Sequence, residues 1–190
     1  MYDAPRVRRW FWIALLTAGI TGAPAGWLIS DHLEAQNEFC TSCHLEEAKP
    51  LHEQKMSEFL ARPAASLVAA HHAAKADFRC NDCHGGASFA NRLRVKTVAA
   101  RDAFFYVFGS FDEPKDMDHP LWNEDCVKCH ATYEAERDDA FHAIGVHNLP
   151  DFGYDCVQCH QAHPSGRTAS LDYLETEPLI AVCRNCHEEF

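Results

Sequence analysis

Trp10 to Ile29 is a run of twenty residues without a charged side chain. At a rise of about 1.5 Å per helical residue, such a run spans the roughly 30 Å apolar core of a bilayer. Trp10, Trp12 and Trp27 lie towards its ends, where interfacial aromatic rings sit. Arg6, Arg8 and Arg9 precede the run, and Asp31 and Glu34 follow it. The positive-inside bias therefore predicts residues 1–9 on the cytoplasmic side and the chain beyond residue 30 or so exported. Ala23-Pro24-Ala25 offers the alternative of a cleaved signal peptide, but Trp27, Leu28 and Ile29 continue the apolar run past it, which favours a retained anchor.

Past the anchor the pattern becomes amphipathic. Residues 45–72, rich in Ala, Leu, Glu and Lys, predict helix broken near Pro63. The strongest helical period covers 88–109, with an apolar stripe of Leu93, Ala100, Phe104 and Val107, Ser88 to cap its start and Gly109 to end it. Shorter helices are expected at 131–144 and 169–182, and no alternation argues for a strand. Residues 1–30 are expected to form the membrane anchor and 31–190 a mainly α, loop-rich exported domain.

Charge narrows the function. The 190 residues carry 17 Lys plus Arg against 28 Asp plus Glu, a formal charge of −11. Outside residues 1–30, 14 basic and 27 acidic side chains remain, a net of −13. An acidic surface with no basic block beyond the N-terminal residues argues against nucleic acid. With 47% hydrophobic residues, a disordered acidic tail is equally excluded.

The ten cysteines change the picture most. They form five copies of Cys-x-x-Cys-His: Cys40/Cys43/His44, Cys80/Cys83/His84, Cys126/Cys129/His130, Cys156/Cys159/His160 and Cys183/Cys186/His187, with none left over. This is the attachment motif of c-type haem: two thiols add to the haem vinyl groups, and the adjacent His becomes an axial ligand. A disulfide framework needs no His after each pair. Zinc ribbons use two such pairs per metal, which leaves one of five unmatched. Thioredoxin-like redox chemistry uses one pair beside a βαβ unit, which is not found here. Five covalently bound haems c are expected, and the fold class becomes a mainly α, loop-rich multihaem c-type cytochrome with one N-terminal transmembrane helix. About thirty-two residues per haem are too few for conventional haem pockets, so the haems are expected to form much of the interior. The motif starts are separated by 40, 46, 30 and 27 residues, and the intervening segments do not resemble one another.

Eight further histidines remain: His32, His52, His71, His72, His119, His142, His147 and His163. Besides the initiator only Met56 and Met117 are available, so at most two haems could take a Met ligand. Most irons should be bis-His, which lacks the potential-raising effect of an axial Met and predicts a low-potential chain.

An anchor helix, a first motif some ten residues beyond it and a second motif of the form Cys80-x-Asp82-Cys83-His84 resemble the NapC/NirT/NrfH cytochromes. The resemblance continues in the Lys- and Asp-bearing helix at 92–109, in Asn123–Tyr133 around the third motif, in His147 before Cys156, and in Cys159-His160-Gln161-Ala162-His163. It spans residues 6 to about 165, which makes 31–165 a four-haem part and 166–190 a fifth-haem extension. Members of that family are periplasm-facing quinol dehydrogenases that pass electrons to soluble reductases or cytochromes. The resemblance implies distal ligands at His147, His163 and one of His71 and His72. It implies a quinol (menaquinol or ubiquinol) beside the first haem, with Lys96 and Asp102 forming its site. Without the resemblance those two residues read as the solvated face of an amphipathic helix, about 120° apart on an ideal helix.

Two departures stand out. Glu46 occupies the position where some members carry a Met, which leaves Met56, His52 or a vacancy for the first haem's sixth position. The fifth motif is an addition, with His142, His119 or His52 as its candidate distal ligand, and a haem held there is a natural electron exit. The expected protein is single-pass in the bacterial inner membrane, with its haem domain on the periplasmic side. Its partners would be lipid, the quinone pool and a periplasmic reductase or soluble cytochrome, with room for a homo-oligomer or membrane complex. The alternatives are a passive tethered shuttle, delivery of electrons from a periplasmic oxidase into the quinone pool, and a small multihaem reductase with an open iron.

Overall fold

A computed structural model describes residues 4–42, 51–109, 121–131, 141–147, 153–163, 173–174 and 176–189. Among these residues the structure is helical and holds no strand. Helix α1 (Ala4–Glu34) carries the apolar run and continues past it by more than a turn. Its stretch Val7–Glu34 is long and apolar enough to cross a membrane, and none of that window is buried inside the protein. Such a helix suits an anchor or a signal sequence alike.

A short α2 (Asn37–Cys40) follows at once, then α3 (Leu51–Leu60) and α4 (Leu67–Ala74). The break between α3 and α4 falls at Arg62-Pro63, where proline was expected to interrupt the helix. Ser66 caps α4: its hydroxyl accepts the Ala69 N–H at 3.3 Å. Next come α5 (Cys80–His84) and α6 (Phe89–Val107). The boundaries of α6 are those its sequence predicts: the Ser88 hydroxyl accepts the Asn91 N–H at 3.1 Å, and Gly109 closes the end at φ +69°. The remaining helices are α7 (Asn123–Val127), α8 (Cys156–Cys159) and α9 (Thr176–Cys183), with a 3-10 turn at Gly145–His147. The helix expected at 131–144 lies mostly outside the described residues, and its described end, Phe141–Ile144, is a turn. Of the helix expected at 169–182, the part from Thr176 is present as α9.

The packing differs from the simple amphipathic expectation. The α6 stripe faces outward, with Leu93, Phe104 and Val107 all exposed, and the buried residue on that helix is Lys96. The buried apolar side chains among the described residues are Phe59, Val68 and Ala69. The described polypeptide therefore supplies little core of its own, and contacts run between successive attachment elements: α2 with α5, α5 with α7, α7 with α8, α8 with α9. Helix α1 joins this row at its first member, α2.

Gly86, two residues after the second motif, sits at φ +77°, and a Cβ there would come within 2.7 Å of the backbone at Asn91 and Arg92. Gly86→Ala is expected to cost about 1–3 kcal/mol through the left-handed conformation alone, and more through displacement of the start of α6. Thermal melting of the haem-loaded protein checks this: the midpoint should fall by several degrees at unchanged haem content.

Candidate haem-binding row and boundary cluster

In the third, fourth and fifth motifs one turn is closed by the His N–H donating to the carbonyl of the first Cys, at 3.0, 2.8 and 2.9 Å, and the second motif is the single-turn helix α5. In α5, α7 and α8 the residue before the helix and the third residue inside it exchange hydrogen bonds. Arg79 N–H donates to Asp82 at 2.8 Å, Trp122 N–H to Asp125 at 3.2 Å and Asp155 N–H to Gln158 at 2.6 Å. The turn then presents both cysteines and the following His from one short element.

Neighbouring motifs are stitched together by a repeated contact. The Cys80 N–H donates to the Asn37 side chain at 2.9 Å, and the Cys156 N–H donates to the Asn123 side chain at 2.8 Å. Asn37 and Asn123 each stand three residues before the first Cys of their own motif, in the strings Asn37-Glu38-Phe39-Cys40 and Asn123-Glu124-Asp125-Cys126. Sequence reasoning missed this role, although the shared Asn-Glu-x-Cys spacing was there to be seen. The same two junctions bring thiols together: Cys40 adjoins Cys80 and Cys126 adjoins Cys156, and the thiol–thiol hydrogen bond in each pair lowers the pKa of Cys80 and, to about 7, that of Cys156. Between the second and third motifs the Lys128 ammonium donates to the Asp82 carbonyl. Burial pushes the Cys83 thiol up, and the nearby Cys129 adds to the same shift. Asn123→Ala removes the acceptor for Cys156 and a 2.9 Å bond to Asp155, leaving a partly buried N–H unpaired at about 1–3 kcal/mol. Intact-protein mass spectrometry should show more chains lacking one haem mass.

The histidines fall into pairs. His84 faces His163 with ring centres 6.3 Å apart, His130 faces His71 at 5.9 Å, His160 faces His142 at 6.2 Å, and His187 faces His147 at 6.2 Å. Each pair joins one motif His to one spare His. With metal–imidazole bonds of about 2 Å, an iron between two imidazoles sets ring centres roughly 6 Å apart, so all four pairs fit a bis-His haem.

The surroundings suit that use. His71 donates from Nδ1 to the Leu67 carbonyl at 2.9 Å, which leaves Nε2 as the ligating nitrogen. His72 instead stacks on Phe59 at 4.3 Å, and its buried Nδ1 has no hydrogen-bond partner among the described residues. Glu58 stands 3.4 Å from His163 Nδ1, at ion-pair distance without hydrogen-bond geometry. Burial first, then the charges of His163 and His52, hold His84 down at about 4, so its imidazole stays in the neutral form that binds metal. A bond from the Val68 N–H to the Ala162 carbonyl at 2.9 Å docks α4 on the segment after the fourth motif. None of the nine described cysteines forms a disulfide, and the described residues hold no group of three or more His, Cys, Asp or Glu placed to bind a bare metal ion. Cys43, His44 and His119 lie outside the described residues.

Where α1 meets α6, a charged cluster is partly buried, with Lys96 and Glu34 largely covered and Asp31 open to solvent. The Lys96 ammonium contacts Asp31 at 2.7 Å, Glu34 at 2.8 Å and the Ser30 hydroxyl at 2.6 Å, and lies 5.6 Å from the Trp27 ring centre. The Arg92 guanidinium pairs with Asp31, with Glu34 at 2.7 Å, and reaches Asn81 and the Gly85 carbonyl at 3.1 Å each. Helix α1 packs on α2, which ends at Cys40, so the cluster at the end of α1 lies close to the first motif. Asp102 pairs instead with its neighbour Arg101, at 3.0 Å near the surface. The carboxylates touching Lys96 thus come from α1. The sequence pattern of α6 alone could not reveal this, because the partners lie more than sixty residues away.

Comparison with known proteins bears on this row of motifs. A protein of Allochromatium vinosum described as "Putative tetraheme cytochrome-c type" is 28% identical over 123 residues, which cover 64% of this chain and 61% of that one. The chain thus spans less than two thirds of the length of that relative. No solved structure matches it. Residues 80–186, more than half of the chain, match the family described as "Cytochrome c-type protein NrfB-like". With the cysteine pairs of its second to fifth attachment motifs inside that stretch, the chain belongs to the NrfB-like family and is a multihaem c-type cytochrome.

Proposed function

We propose that this cytochrome carries five haems, is held in the inner membrane by α1, and oxidises quinol at the α1–α6 junction, passing electrons along the motif row to a periplasmic reductase or cytochrome. The observation that carries this reading is the partly buried Lys96–Asp31–Glu34 cluster at the end of the apolar helix, next to the first attachment motif. Oxidising a quinol to a quinone releases two protons and two electrons; the bound haems supply one-electron chemistry, and the protein's own side chains manage the protons.

Glu34, paired on two sides by Lys96 and Arg92, is the proposed acceptor of a proton from the quinol hydroxyl. Lys96 holds that carboxylate in place and offsets the negative charge that gathers as quinol deprotonates. Asp31, more exposed than Glu34 and bound to the same two cations, gives the proton a path to water. Asp102 is retained as the alternative acceptor implied by the NapC/NirT resemblance. The contacts of α2, α5, α7, α8 and α9 in chain order support a linear path from the first motif to the fifth, with exit beside the exposed Glu188 and Glu189.

The test is quinol-driven haem reduction in Glu34→Gln and Asp102→Asn side by side. Glu34→Gln should slow it by roughly 10²-fold or more, with Asp102→Asn close to wild type. The reverse pattern would move the acceptor to Asp102. If neither variant slows, quinol is oxidised at another site; a wild type that quinol leaves oxidised while dithionite reduces it makes the passive tethered shuttle the better description.

A further inference from the structure

We propose that the seven residues Phe141–His147 supply the distal ligands of two neighbouring haems: His142 to the haem on the fourth motif and His147 to the haem on the fifth. The inference rests on the five-haem reading above. It assigns His147 to the added motif, whereas the NapC/NirT resemblance would spend it on one of the first four.

His142 lies 6.2 Å from His160, rings 19° from parallel, while His147 lies 6.2 Å from His187 at 66°. The segment between them is wound tightly enough to point two rings at different motifs. The Ile144 N–H donates to the Phe141 carbonyl at 3.2 Å, and the His147 N–H donates to the Ile144 carbonyl at 2.8 Å. Phe141 stacks on the His147 ring at 4.2 Å and 10°, and its carbonyl accepts from His147 Nδ1 at 3.3 Å. That bond fixes the tautomer with Nε2 as the ligating nitrogen, as at His71. The targets are adjacent, because α8 and α9 pack together. The segment therefore acts as a staple: the fifth haem is locked to the fourth rather than attached as an independent appendage.

Haem content and ferric spin state, read by mass spectrometry and electron paramagnetic resonance, test the assignment without an activity assay. Five haem masses on the wild-type chain establish the underlying reading; fewer would overturn that reading before any ligand is assigned. In the five-haem protein, His142→Ala and His147→Ala should each convert one fifth of the iron from low to high spin. In a Cys183→Ala/Cys186→Ala background, which cannot attach the fifth haem, His142→Ala should still convert one iron and His147→Ala none. Conversion by His147→Ala in that background would overturn the assignment. Should that background not accumulate, the double variant His142→Ala/His147→Ala of the intact chain decides. Two fifths of the iron turning high spin supports two separate irons, and one fifth shows a shared iron and refutes the staple.

Discussion

A Lys96→Leu variant is expected to lose quinol-driven haem reduction while keeping its full haem complement. The ammonium has three oxygen partners, on Asp31, Glu34 and Ser30, within 2.6–2.8 Å, and its residue is only 8% exposed. Leucine would leave two carboxylates facing an apolar side chain with Arg92 as their remaining partner of the two cations. Breaking a largely covered partner out of an ion-pair group costs about 3–5 kcal/mol. The Glu34 carboxylate, held then by Arg92 alone, would move from the position in which it can accept the quinol proton. Loss of a positioned proton acceptor lowers a rate by roughly 10²–10⁴-fold. Lys96→Arg keeps the charge and should recover part of the rate. A purely structural lysine would show a lower melting point with quinol turnover intact. Haem content does not depend on this cluster, since no attachment residue belongs to it.

Arg92→Leu should act chiefly on stability. One guanidinium ties Asp31 and Glu34 at the end of α1 to Asn81 in the second-motif helix and to the Gly85 carbonyl just after it. It is thus the clip between the apolar helix and the haem-bearing row. Removing it leaves Asn81 and the Gly85 carbonyl without this donor and Asp31 and Glu34 with Lys96 alone, at a cost of about 1–3 kcal/mol. The variant should melt below the wild type and become cleavable by protease near residues 34–37. Quinol-driven reduction should slow because the cluster no longer sits against the first motif. Unchanged melting and unchanged cleavage would show that other contacts join α1 to the row.

Much of this molecule could be read from its residues. The five Cys-x-x-Cys-His motifs announced covalent haem, and the match to NrfB-like cytochromes supports the multihaem part of that expectation. The Ser88-to-Gly109 helix has its predicted boundaries because caps and helix breakers act locally, whereas α1 extends beyond the apolar run at both ends. The direction of the α6 face was not legible, since a periodic stripe marks a face without saying what covers it. Leu93, Phe104 and Val107 point outward while Lys96 is enclosed. Histidine pairing was equally out of reach of spacing. His71 meets His130 only because α4 docks on Ala162, a contact between distant parts of the chain. The choice of His71 over His72 then follows from a single carbonyl, that of Leu67. The Asn37 and Asn123 stitches were visible as a short repeated string, yet their meaning appears only when each is seen holding the next motif's first Cys.

The central claim is that quinol delivers electrons at the α1–α6 junction, and rapid mixing tests it most directly. Purified, detergent-solubilised oxidised protein is mixed with a menaquinol analogue, and the haem α-band is followed in the wild type, Lys96→Leu and Glu34→Gln. The predicted result is rapid reduction of the wild type that is lost or slowed at least 10²-fold in both variants, with all three proteins reduced equally by dithionite. A wild type that quinol leaves oxidised while dithionite reduces it fully would contradict the account.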